Sequence, residues 1–138
     1  DAKWQGPIAY PPDGATGVRP GWSGHEGPSP LPVAPPQGGV GQTITLTFPP
    51  GQRPKDGKLT LTDAAGAVVE GWTSTPEKPA AKMFGDNMNT ICFIASAPLQ
   101  VNARYKAKVE ATLGAQPFVK EWSFATGEAS RRGGRPRK

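Results

Sequence analysis

The sequence predicts an all-β protein, a sandwich of about seven short and mainly antiparallel strands entered through a Pro/Gly-rich arm. Three observations lead there. Apolar residues recur at every second position in several segments, which is the period of a half-buried strand. Clusters of Gly, Pro and Asp separate those segments. The 18 Gly and 17 Pro, about a quarter of the 138 residues, confine helix to very little of the chain.

The arm spans residues 1–41. Prolines at 7, 11, 12, 20, 28, 30, 32, 35 and 36 exclude a helix or a central strand there. Trp4, Ile8, Tyr10, Val18, Trp22, Leu31 and Val33 are scattered among them. A plain linker rarely carries so many apolar anchors, so the arm is expected to be irregular yet partly docked. Within YPPDGATGVRPGW, Pro12-Asp13-Gly14 reads as a turn: Asp accepts backbone N–H groups and Gly is free to take positive φ. That turn would steer the arm onto an edge of the sandwich, with Val18 buried and Tyr10 and Trp22 covering the seam.

The sandwich core is expected over residues 42–127. In QTITLTF, Ile44, Leu46 and Phe48 alternate with threonines, and Pro49-Pro50-Gly51 end the run. KLTLTD alternates through Leu59 and Leu61, turns at Asp63–Gly66 and returns as AVVEGW, a hairpin. TSTPEKPAAKMFGDNMN, 73–89, reads as a loop with a short strand near Met83 and Phe84. TICFIA is more continuously apolar and suits a buried strand. Pro98 argues against helix after it. Tyr105, Ala107, Val109, Ala111 and Leu113 then alternate with polar residues, and Phe118, Trp122 and Phe124 answer them in a returning strand, with Lys120 snorkelling at a rim. The expected strands are 43–48, 58–62, 67–72, 90–95, 103–113 and 117–126. Residues 128–138 have no apolar anchor and carry five like charges, so they read as a disordered basic tail.

Five of the 16 basic residues lie after Ser130, which leaves 11 against 11 acidic ones in the rest of the chain. The net charge of +5 therefore belongs to the tail. A nucleic-acid reader carries its positive charge on a folded face, so no specific nucleic-acid partner is expected. Cys92 is the single cysteine and precludes an internal disulfide. No apolar run approaches the roughly 20 residues that span a bilayer. Asp1 without an initiator Met fits a processed mature chain or a piece of a longer one.

The chemistry-bearing residues are sparse. His25 is the only histidine, too few for zinc. A soft copper site would draw on His25, Met83, Met88 and Cys92, but no clustered methionine motif is present. Cys92 in ICFI reads as a small buried hydrophobe rather than a nucleophile, because a nucleophile wants a histidine base. Asp56, Asp63, Glu70 and Asp86 fall in loops or at strand ends, and nothing singles out a catalytic pair. No phosphate loop occurs. The aromatic residues Trp4, Tyr10, Trp22 and Trp72 are the candidate contact surface, either for a sugar or peptide or as pins holding the arm.

YPPDGATGV resembles the P-x-DG-x-x-x-V opening of bacterial Ig-like modules of the surface-layer type. RYKAKVEATLGAQPFVKEWSFAT resembles their closing hairpin, and IASAPLQVNARY resembles the P-x-x-L-x-x-x-x-x-Y connection before it. The chain is also similar to sandwiches that accompany cysteine-rich-secretory-protein-like (CAP) domains in secreted bacterial proteins. This resemblance implies an Ig-like β-sandwich without enzymatic activity or cofactor, secreted or in the cell envelope. It would be a monomer serving as a spacer, adhesion or support module beside a neighbouring domain or an envelope polymer. The alternative is a carbohydrate- or peptide-binding module using the aromatic patch. A third reading is a periplasmic copper-binding protein, since copper-resistance proteins of the bacterial periplasm also use small β-sandwiches, one of them with a similar proline–aspartate–glycine turn.

Overall fold

A computed structural model describes residues 6–24, 31–34, 36–78 and 89–128. These residues form an all-β, mostly antiparallel fold. Ten strand segments follow one another: β1 (Ile8–Tyr10), β2 (Ala15–Val18), β3 (Gly21–Trp22), β4 (Val40–Gly41), β5 (Thr43–Thr47), β6 (Lys55–Asp63), β7 (Gly71–Ser74), β8 (Thr90–Ala95), β9 (Arg104–Leu113) and β10 (Gln116–Thr126). They make a first four-stranded sheet in the order β1-β5-β8-β7, a second in the order β2-β10-β9-β6, and a two-stranded ribbon β3-β4. The one parallel pairing among them joins β2 to β10.

Alternation along each strand decides which residues meet between the sheets. From the first sheet come Ile44, Leu46, Ile91, Phe93 and Ala95. From the second come Leu59, Leu61, Tyr105, Ala107, Val109, Ala111, Trp122 and Phe124, and all of these belong to one buried cluster. Phe48 meets Phe118 edge-on at 5.1 Å, and Tyr105 stacks with Phe124 at 5.9 Å. Each such side chain contributes about 1.5–3 kcal/mol on burial. The opposite face of the second sheet is charged and solvated. Lys106 pairs with Glu121 and Lys108 with Glu110, both at 3.9 Å and well exposed, so these pairs add little stability. Lys120 points to the inner side opposite Val109 and is only partly buried.

The arm contributes edges. β1 pairs with β5 in the first sheet, and after the Pro11–Gly14 turn β2 pairs with β10 in the second. One short stretch thus crosses from sheet to sheet. Gly14 holds φ at +83° and donates its N–H to Ser123 O at 2.7 Å. β3 and β4 close as a ribbon against β8, with Gly21 opposite Gly41 and Trp22 opposite Val40.

The hairpin expected over LTLTDAAGAVVEGW forms only beside its turn. Asp63 accepts the N–H groups of Ala65 and Ala67 through its carboxylate, and Val69 donates to Leu61 O. Beyond the bridge between Thr62 and Val68 the chain leaves β6 and joins the other sheet as β7. The short strand expected near Met83 and Phe84 lies outside the described residues, as does all of the basic tail beyond Glu128. No helix of the described residues is long and apolar enough to cross a membrane.

Candidate functional site

The outer face of the first sheet carries Tyr10, Trp72 and Cys92. Side chains at paired positions of neighbouring strands share a face. Tyr10 pairs with Thr45, Thr45 with Cys92, and Cys92 with Ser74, so the four lie in one lateral row across β1, β5, β8 and β7. The next row holds Ile8, Thr47 and Thr90, with the two threonine hydroxyls 3.0 Å apart. On the other side of the Cys92 row lie Thr43, Ile94 and Trp72.

The last of these rows is roofed. Leu31, Val40 and Ile94 form a second buried cluster, with Trp22, Trp72 and Cys92 packed against it. The β3–β4 ribbon supplies the cover, and its close approach needs glycine. A Cβ on Gly41 would stand 2.7 Å from the Ala95 side chain, and within the ribbon itself one on Gly21 would run into the Val40 carbonyl.

Cys92 therefore does not point into the main core. The continuous apolar run TICFIA divides by parity: Ile91, Phe93 and Ala95 face the second sheet, while Cys92 and Ile94 face the ribbon. A run buried on both faces looks the same in sequence whether its cover is a second sheet or a short ribbon. Cys92 remains partly exposed as a residue, yet burial of its thiol pushes the pKa up to about 11. A thiol held in this way is protonated at neutral pH and is a poor nucleophile and metal ligand.

The four aromatic candidates separate. Trp22 and Trp72 both pack against the second cluster, and the buried Trp22 indole N–H finds no acceptor among the described residues. Tyr10 lies on the same outer face at the β1 edge and is half exposed, beside an equally exposed Ile8. Trp4 lies outside the described residues. Sequence reasoning counted Ile8 among the apolar anchors of the arm, whereas it is exposed; its register opposite Thr47 was not readable from a stretch without periodicity.

The soft donors separate as well. His25, Met83 and Met88 lie outside the described residues, as does Asp86. Cys92 alone does not make a copper site. Among the described residues no group of three or more His, Cys, Asp or Glu side chains is placed to hold a metal ion. Asp63 serves its turn, and Glu70 O accepts from the Ser96 N–H and hydroxyl.

No protein-family model matches the sequence, and no curated protein matches it. Solved structures do match. The structure of CopC from Methylosinus trichosporium OB3b has a TM-score of 0.53 and 14% identity, over 86% of this chain and 88% of that one. The fold is like that of CopC. PcoC, a copper resistance protein from Escherichia coli, has a TM-score of 0.49 and 15% identity, over 86% of this chain and 94% of that one.

The likeness to CopC is one of fold, and it corrects the resemblance read from the sequence. The chain compares with CopC rather than with the surface-layer-type Ig-like modules that accompany CAP domains. The motifs that suggested those modules are a sharp Pro-Asp-Gly turn, a tyrosine after a loop and a closing hairpin. In this fold they fasten β2, β9 and β10 to one another. They specify how strand ends are tied, a need of two-sheet β folds generally, and so they do not pick out one family.

Proposed function

We propose that this chain is a non-catalytic copper-binding protein of the cell envelope, with copper as its cargo. The reading rests on the CopC-like fold, which covers 86% of the chain. It takes the two sheets as a sandwich of Ig-like connectivity, with the arm of residues 1–41 docked on a core of 42–127 and a basic tail following. It is preferred to the spacer, adhesion and sugar- or peptide-binding readings because of that fold. Trp22 and Trp72 also pack, partly buried, against a shared cluster. Cys92, solitary and with its thiol held protonated, is not assigned as a donor. The donors of suitable softness that remain in the sequence are His25, Met83 and Met88.

The test is a titration of the whole protein with Cu(I) and with Cu(II) against a competing chelator. The expected result is binding of one oxidation state tighter than about micromolar. That binding should be retained in Cys92→Ser and lost or weakened at least about tenfold in His25→Ala or in the double variant Met83→Leu/Met88→Leu. Absence of binding in both oxidation states would overturn the copper reading and return the spacer or support role to first place.

A further inference from the structure

We draw no further inference here: the strongest candidate, the open cleft of about 540 Å3 between the edge strands β6 and β7, lined by Lys58, Leu59, Thr60, Gly71, Thr73 and Phe93 among others, carries nothing because no feature of the structure shows what occupies it.

Discussion

The Asp13 carboxylate accepts a hydrogen bond from the backbone N–H of Ser123 at 3.0 Å, joining residues 110 positions apart. The next residue completes the clasp, since Gly14 N–H donates to Ser123 O at 2.7 Å. One residue of β10 thus has its N–H and its C=O taken by the turn between β1 and β2. The turn positions β2 for its parallel pairing, in which Ala15 lies opposite Phe124 and Val18 opposite Thr126.

Asp13→Ala removes the acceptor and leaves the Ser123 N–H to water. Because the site is exposed, the expected loss is about 1 kcal/mol. Asp13→Asn keeps an acceptor oxygen and should lose less. Gly14→Ala meets no steric neighbour but forces an alanine to φ +83°, which costs on the order of 1 kcal/mol. Urea denaturation of the three variants measures all of this. Equal stability of wild type and Asp13→Ala would show that the clasp does not hold the arm.

A second tie lies close by, three residues further along β10. The Tyr105 hydroxyl accepts the Gln100 N–H at 2.9 Å. The Thr126 hydroxyl donates to Gln100 O at 2.6 Å and accepts the Ala103 N–H at 2.9 Å. Tyr105→Phe and Thr126→Val each keep the packing volume and leave backbone groups unpaired, so each should cost about 1–3 kcal/mol. The pair shares the Gln100 backbone, and the double variant should therefore deviate from additivity. A double-mutant cycle with no coupling would separate the two ties.

The Cys92 thiol makes stability depend on pH in the alkaline range. Its folded pKa of about 11 lies above the model-compound value of 9.0. The contribution is therefore intact below pH 9, declines as the unfolded chain begins to ionise, and is lost by pH 11. Its full size is on the order of 2 kcal/mol. Subtracting the stability curve of Cys92→Ala from that of the wild type isolates the effect. A difference that stays flat from pH 8.5 to 11 would place the thiol in contact with solvent. Thiol-reagent labelling of the native protein at pH 7.5 should likewise be slow, and fast in denaturant.

Trp22 tests the role of the arm. Its ring packs with Trp72 on the cluster of Leu31, Val40 and Ile94. Trp22→Ala should lower stability by about 3 kcal/mol and open residues 1–41 to limited proteolysis, while leaving copper affinity within about twofold. An unchanged melting temperature together with unchanged cleavage would show that Trp22 does not pin the arm. Weakened binding of a sugar or peptide with an unchanged melt would favour a contact surface instead.

Much of the strand content was legible because period-two alternation is a local property. Thr90–Ala95 emerges with its expected limits, and the strands expected at 43–48, 103–113 and 117–126 differ by a single residue at one end. Hydrophobic burial on one face leaves that signature in the chain whatever the partner is. The arm left no such signature. β1 to β4 are two to four residues long, too short for a period, and prolines are tolerated there because edge strands need pairing on one side only.

What the sequence by itself determined is the β class, the turn at Pro12-Asp13-Gly14 and the inward residues of β5, β6, β9 and β10. Only the tertiary structure decided where those strands go. The departure of β7 from β6 into the other sheet depends on what lies across the core, and a hairpin and a crossover share the same local residues. The placement of Cys92 depends on a ribbon built from residues about fifty or more positions earlier. Local pattern records that a residue is buried; its partner is chosen by long-range packing. The same limit explains the candidate site. Tyr10 and Cys92 share a row across the sheet only because β1 and β8 pair with opposite edges of β5, and no spacing in the chain encodes that adjacency.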